Sequence, residues 1–171
     1  PVVDRLARHR RVVLCDLLGF GLSSKPDRHY TMALQADVVQ AVTAAVGLSR
    51  AALLTHDMGD TVGGELLARQ TEGTWPVEIT RRVVTNGSIY IEMAHLTDGQ
   101  NLLLSLPDEK GEQGPGPDTL AASLARTLAP QHQGIDMRGH AEMVCASDGD
   151  TLLARLVRYI EERRANERRF T

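Results

Sequence analysis

Residues 51–67 constrain the fold more than any other stretch of the chain. A short apolar run ends there at a polar turn centred on Asp57, and a helical pattern follows at once. Small residues flank the turn, with Thr55 two positions before Asp57 and Gly59 two positions after it. A sharp strand-to-helix turn requires small neighbours, because a strained backbone leaves little room for branched side chains. The sequence therefore predicts that the Asp57 side chain stands above a sheet, over the first N–H groups of a helix.

Two interpretations of Asp57 are open at this point. The first is a nucleophile elbow, usually written G-x-S-x-G, with Asp57 in the place of the nucleophile and Thr55 in the place of the first glycine. The second is a helix N-cap, since an aspartate carboxylate accepts hydrogen bonds well from the first N–H groups of a helix. In the first interpretation the carboxylate is free to react, and in the second it is bound to the helix. The choice between them rests on the rest of the sequence.

The first half of the chain alternates predicted strands and helices. Strands are expected at residues 11–16, 51–55 and 82–85, as short and continuously apolar runs typical of parallel strands covered on both faces. Helices are expected between them, one capped by Thr31 and stopped at Gly47, the other at residues 61–70. This order predicts an α/β fold with a parallel sheet. Ligands of such sheets bind at the carboxyl ends of the strands, where the pattern puts Asp16, Gly19, Asp57 and Asn86.

The second half of the chain has no strand pattern and is expected to be helical. We therefore divide the chain into residues 1–89, part of an α/β core, and residues 90–171, a helical layer over the carboxyl ends of the strands. The loop at 108–118 is rich in glycine and proline and is expected to be mobile. Three local predictions complete this half: a helix capped by Asp118, a last helix starting at Asp150 or Thr151, and an exposed charge run at 161–169.

Composition narrows the possible partners. A net charge of −3 and an aromatic content of 4% argue against nucleic acid and membrane surfaces, so a small-molecule substrate is expected. Cys15 and Cys145 are read as buried or free thiols of a reducing compartment, and a cytoplasmic location is expected. No apolar run approaches the length of a membrane span. Neither a metal nor another cofactor is expected, because His132, His140 and Glu142 lack the spacing of a histidine–glutamate metal motif. The oligomeric state stays open.

Two motifs resemble a known family. Residues 16–26 match the loop D-x-x-G-x-G-x-S-x-x-P of α/β-hydrolases, and residues 56–59 match the elbow H-D-x-G of the branch with an aspartate nucleophile. That branch includes epoxide hydrolases and haloalkane dehalogenases. Residues 55–62 resemble most closely the mesoderm-specific-transcript-like hydrolases, in which H-D-x-G-D-T-V recurs. The resemblance implies a partial α/β-hydrolase fold with a helical cap, and its two linked motifs are more specific together than either is alone.

The resemblance also implies site residues. Asp57 would attack a substrate carbon and form an ester, which a histidine-activated water would hydrolyse. The backbone N–H of Met58 would serve the oxyanion hole, although its thioether cannot replace the tryptophan donor with which dehalogenases hold a halide. Tyr90 and Tyr159 are candidate substrate-binding tyrosines of the cap, with simple packing as the alternative for each. Asn86, at the carboxyl end of the third predicted strand, is a third candidate; it stands where some dehalogenases carry an acid, and an amide cannot take the role of that acid.

Several expectations follow for the chain as a whole. The family keeps its catalytic acid and histidine on later strands, which do not occur here, so the chain resembles a fragment that we expect to be inactive alone. His56 is expected either to be structural or to support the site without touching the substrate. The reaction expected is hydrolysis of an epoxide, an ester or a similar small electrophile. Two alternatives remain: a catalytically incomplete hydrolase-fold binding or interaction protein, and a nucleotide-binding domain with phosphate near residues 19–23.

Overall fold

A computed structural model describes residues 2–87 and 90–171. Nine α-helices and two strands lie within these residues. In chain order they are α1 (Val2–Ala7), α2 (Met32–Ala45), β1 (Arg50–His56), α3 (Met58–Thr71), β2 (Glu78–Thr85), α4 (Asp98–Ser105), α5 (Gly116–Thr127), α6 (Arg138–Cys145), α7 (Leu153–Leu156), α8 (Tyr159–Ala165) and α9 (Glu167–Phe170). Short 3-10 helices occupy Ile91–Met93, Pro130–His132 and Ala146–Leu152.

The two strands form a parallel pair joined by helix α3. Their register runs from Arg50 opposite Glu78 to His56 opposite Thr85, with an irregularity between Ala51 and Ala52. The predicted strands at 51–55 and 82–85 are thus confirmed, and so is the helix between them, which starts earlier than expected, at Met58. Because the strands are parallel, their carboxyl ends lie side by side.

Helix α2 begins and ends where its sequence predicts. The side chain of Thr31 accepts a hydrogen bond from the N–H of Leu34, which caps the first turn. At the other end Gly47 adopts φ 65°, its N–H donates to the carbonyl of Ala44, and the next N–H, of Leu48, donates to the carbonyl of Thr43. This pair of bonds is the Schellman motif, which favours glycine because of its positive φ.

Helix α3 lies at the centre of the main hydrophobic core. Val62 and Leu66 of α3 pack with Trp75, Ile160 and Phe170, all of them buried. The core therefore joins the strand–helix–strand unit to the C-terminal helices, so that the second half of the chain is attached to α3 by apolar contact. Burial of side chains of this size contributes about 1.5–3 kcal/mol each.

The strand predicted at residues 11–16 does not form. The segment belongs to no strand, its Leu14 side chain is 69% exposed, and Cys15 is exposed as well. A strand needs a hydrogen-bonded neighbouring strand, and neither strand of the described residues pairs with this segment. Both cysteines are free, with Cys145 partly buried.

The helical half confirms the absence of strands but corrects three details. Asp118 lies in the first turn of α5, which begins at Gly116, so it is not the N-cap. The residues from Asp150 to Leu152 are 3-10, and α-helical structure resumes only at Leu153. The charge run at 161–169 is not simply exposed, because Arg163 is 3% exposed and its Nε donates to Thr61 of α3. No helix among the described residues is long and apolar enough to cross a membrane.

Candidate active site

Asp57 occupies a strained turn between β1 and α3. Its backbone has φ 50° and ψ −119°, a conformation that a residue with a side chain adopts at a cost of about 1–3 kcal/mol. Its N–H donates to the carbonyl of Thr85 at 3.1 Å, and its own carbonyl accepts from the N–H of Asp60 at 2.9 Å. Its side chain makes no capping hydrogen bond to the helix. The geometry therefore favours the elbow over the N-cap interpretation of Asp57.

Small residues allow α3 to approach the sheet and the C-terminal helix closely. A Cβ added at Gly63 would lie 3.0 Å from the methyl carbon of Thr55, and one at Gly64 would lie 2.9 Å from the backbone of Phe170. Thr55 itself is only 9% exposed. Gly63 and Gly64 are therefore required by close contacts on two sides of α3.

Tyr159 from α8 reaches the carboxylate of Asp57. Its hydroxyl donates to Oδ1 of Asp57 at 2.9 Å, and the amide of Gln100 donates to the same hydroxyl at 3.4 Å. Burial, followed by the negative charge of Asp57, raises the pKa of Tyr159, so the phenol stays protonated and remains a donor. Asp57 as a whole residue is exposed to solvent. The site thus has an accessible carboxylate with a buried hydroxyl donor beside it.

Two arginines and a buried acid lie below the elbow. Arg163 is 3% exposed, and its Nε donates to Oγ1 of Thr61 at 2.8 Å. Asp60 is fully buried, and neither of its carboxylate oxygens has a hydrogen-bond partner among the described residues. Arg82 donates from Nη2 to the backbone carbonyl of Asp60 at 2.5 Å, and desolvation lowers the pKa of this guanidinium. The buried carboxylate of Asp60 attracts both the half-buried Arg82 and the buried Arg163 electrostatically.

Sequence reasoning missed Arg163, because it lies within the run predicted to be an exposed charged face. One signal was available: Arg163 follows Tyr159 by four residues, so the two side chains share one face of a helix. When α8 turns Tyr159 towards the elbow, it therefore turns Arg163 towards the elbow as well.

Two predicted site residues lie elsewhere. Asn86 and Tyr90 line a cavity of about 500 Å³ together with Arg82, Met93 and Phe170, among other residues. Neither Asp57 nor Tyr159 lines it. The structure therefore brings Tyr159 to Asp57, and it groups Asn86 and Tyr90 in a separate depression.

The loop that begins at Asp16 is held together by that residue. The carboxylate of Asp16 accepts from the N–H of Leu22 at 2.9 Å, and its backbone carbonyl accepts from the hydroxyl of Ser23 at 2.7 Å. Gly19 and Gly21 both have positive φ. An acidic side chain thus uses a loop N–H that a phosphate would require, which argues against the nucleotide-binding alternative.

No histidine among the described residues hydrogen-bonds Asp57 or Tyr159. His56 precedes Asp57 but hydrogen-bonds Thr85 with its Nδ1 at 3.0 Å, which fits a structural role. Within residues 2–87 and 90–171 no group of His, Cys, Asp and Glu side chains has the arrangement of a metal site.

Comparison with known proteins identifies a family. The model described as alpha/beta hydrolase fold matches residues 1–143. LipZ of Mycobacterium tuberculosis, provisionally named as a hydrolase, is 34% identical over 154 residues, covering 88% of this chain and 54% of that protein. The human mesoderm-specific transcript homolog protein is 31% identical over 175 residues, covering 95% of this chain and 51% of that protein. A haloalkane dehalogenase of Agrobacterium fabrum is 34% identical over 85 residues, covering 50% of this chain and 28% of that protein.

These matches confirm the predicted fold class, a partial α/β-hydrolase fold. The chain spans about half the length of the first two of these relatives. No solved structure matches it.

Proposed function

Because the chain belongs to the α/β-hydrolase fold family, we propose that the protein is a hydrolase with Asp57 as its covalent nucleophile. Its substrate is an epoxide, an ester or a similar small electrophile. One observation carries the proposal: the Asp57 carboxylate is raised on a strained turn, makes no cap, and meets the solvent beside a hydroxyl donor. A carboxylate kept only as a helix cap would need neither the positive φ nor the tyrosine.

For an epoxide, each proton and bond can be assigned. An oxygen of Asp57 attacks a ring carbon, the carbon–oxygen bond of the ring breaks, and its electron pair goes to the ring oxygen. Tyr159 donates its proton to that oxygen, which as an alkoxide is a much stronger base than tyrosinate. The product is an ester of Asp57. The raised pKa of Tyr159 keeps the proton in place until the ring opens.

Hydrolysis of the ester completes the cycle. A water adds to the ester carbonyl, and the N–H of Met58 at the start of α3 faces the negative oxygen that forms. Loss of the diol returns the carboxylate of Asp57 with one oxygen from the water. The family resemblance implies a histidine as the base that takes the proton of this water, and residues 90–171 act as the cap over the site.

The relatives support the aspartate branch in part. One of them is named a haloalkane dehalogenase, and it covers half of this chain. Met58 has no side-chain N–H with which to hold a halide, so we propose an epoxide or ester in place of a haloalkane. Since the chain spans about half of its first relatives, the activity is proposed for the full-length polypeptide that contains it.

Single-turnover labelling tests the nucleophile directly. The full-length polypeptide is mixed in excess with styrene oxide, and separately with a p-nitrophenyl ester, in water enriched in ¹⁸O. With the epoxide, the peptide that contains Asp57 gains one heavy oxygen, and the first diol carries none. The Asp57→Asn variant loses turnover, whereas Asp98→Asn, at an exposed carboxylate outside the site, keeps it.

The possible outcomes separate the alternatives. Unchanged turnover by Asp57→Asn refutes the nucleophile. Heavy oxygen in the first diol with none in the peptide indicates direct attack by water and also refutes it. A folded wild-type protein that hydrolyses neither probe refutes the proposed substrate class and favours the binding or interaction protein.

A further inference from the structure

Arg163 is a buried cation attached to the backbone of the elbow. Its Nε donates to Oγ1 of Thr61, in the first turn of α3, at 2.8 Å, and its Nη2 donates to the carbonyl of Asp57 at 3.4 Å. Both Arg163 and Thr61 are buried, at 3% and 0% exposure. The planar guanidinium can hold two acceptors at a fixed separation. It therefore fixes the strained carbonyl of Asp57 relative to the helix that follows.

The same guanidinium also reaches the side chain of Asp57 through Tyr159. Its central carbon lies 5.0 Å from the centre of the Tyr159 ring, within the range of a cation–π contact. The hydroxyl of that ring donates to the Asp57 carboxylate at 2.9 Å. Arg163 thus contacts the backbone of Asp57 directly. It also stacks on the ring of Tyr159, whose hydroxyl is the donor to the Asp57 carboxylate.

We infer that Arg163 is a positioning residue, which holds the Asp57 carboxylate and the Tyr159 hydroxyl in the relative orientation that the attack on substrate requires. The inference rests on the function proposed above. Arg163 is buried and stacks on the ring of Tyr159, so it does not meet the substrate and acts on the reaction through Asp57 and Tyr159.

The charges around Arg163 are consistent with this role. Asp57 and Asp60 face it from the start of α3, and Tyr159 faces it from its own helix. Desolvation lowers the pKa of Arg163, and these neighbours oppose the shift. The negative charges of Asp57 and Asp60 therefore favour the charged form of this buried guanidinium.

The role predicts a particular kinetic pattern. Loss of orientation slows the covalent step, and a misplacement of about 1 Å can cost on the order of 100-fold in rate. Substrate binding does not use Arg163. Replacing it should therefore lower kcat by about 100-fold and change KM by less than about threefold, whereas general loosening of the fold would raise KM and lower the thermal midpoint.

The experiment uses the full-length polypeptide with styrene oxide and compares Arg163→Gln with Arg164→Gln, its exposed neighbour. kcat, KM, the rate at which the ester forms on Asp57, and the thermal midpoint are measured for each. Arg163→Gln should show slower ester formation, with Arg164→Gln unchanged. Arg163→Lys keeps the positive charge but lacks the planar guanidinium with its several N–H donors, so its rate of ester formation should lie between those of Arg163→Gln and the wild type. If Arg163→Gln does not fold, Thr61→Ala removes one acceptor and should lower kcat by about tenfold.

Two results would overturn the inference. One is a folded Arg163→Gln, or Thr61→Ala where that variant is used, with kcat within about threefold of the wild type. The other is an equal loss in Arg164→Gln. Asp57→Asn, run in parallel, separates the two proposals: if it keeps turnover, the proposed function fails, and if it is inactive while Arg163→Gln is normal, only the positioning role fails.

Discussion

The strained backbone of Asp57 leads to a prediction in which glycine stabilises the elbow and alanine does not. With φ 50° and ψ −119°, any residue that has a Cβ is strained by about 1–3 kcal/mol, and glycine is not. Glycine also has a more flexible unfolded chain, which costs about 0.4–1 kcal/mol relative to alanine. Asp57→Gly should therefore exceed Asp57→Ala in its free energy of unfolding by about 1.3 kcal/mol, the difference between the middles of these two ranges.

The comparison between the two variants removes other effects of the substitution. Both lose the hydrogen bond from Tyr159, and neither loses a helix cap, since the Asp57 side chain makes none. Both should also be inactive. If Asp57→Gly is more stable than Asp57→Ala while both are inactive, the backbone strain lies at the residue that performs the chemistry, as expected of a functional site.

Urea denaturation of the full-length polypeptide, followed by the fluorescence of the buried Trp75, measures the difference. A matched pair at Asp98, in the first turn of α4, provides the control. There glycine should be less stable than alanine by about 0.5–1 kcal/mol, because the backbone is helical. If alanine is as stable as glycine at position 57, the strain argument is wrong, and with it the main structural support for the elbow.

Two further predictions concern the attachment of the C-terminal helix to α3. Hydrogen bonding from Arg169 is the largest cause of the lowered pKa of Glu65. The folded state therefore binds the Glu65 proton less tightly than the unfolded state does. The stabilisation of the fold by ionised Glu65 is consequently present above the unfolded-state pKa and is lost in acid. Glu65→Gln should thus cost about 1–3 kcal/mol at pH 7, and the cost should shrink below about pH 4; a cost independent of pH in urea titrations would contradict this. Gly64→Ala would put a Cβ 2.9 Å from the backbone of Phe170, so it should destabilise by about 1–3 kcal/mol. Gly59→Ala, where the nearest atom is 4.0 Å away, should not destabilise, and equal losses for the two glycines would refute the packing argument.

The sequence predicted the elbow because its determinants are local. The apolar run, the small neighbours and the helical pattern all lie within residues 51–67, and the parallel pairing with residues 82–85 follows from the length of the connection. The segment at 11–16 has an equally apolar pattern but forms no strand. The apolar pattern of this segment predicts burial and an extended backbone. Strand formation also needs hydrogen bonds to a neighbouring strand, and the sequence of the segment alone does not determine whether one is present.

The charged tail was misjudged for a different reason. Its arginines and glutamates suggest a solvated face, yet Arg163 is buried and Arg169 binds Glu65 on α3. Charge density predicts exposure only when no partner of opposite sign is available in the fold. The partners here are about 100 residues distant in sequence, and no local pattern pairs them with the tail.

Asp57 and Asn86 were both placed at the site because parallel sheets bind ligands at the carboxyl ends of their strands. Their separation shows that this position alone does not bring two side chains into one site. His56 and Thr85 lie opposite each other in the parallel pair, so Asp57 and Asn86 leave the sheet side by side. Both residues then adopt positive φ, at 50° and 55°, within separate turns. Parallel pairing brings the backbones of neighbouring strand ends within about 4.8 Å, but the turn that follows each strand sets the direction of its side chain. Asn86 consequently lines a cavity that Asp57 does not line, and the partner of Asp57 comes from α8, which no rule about strand ends could identify.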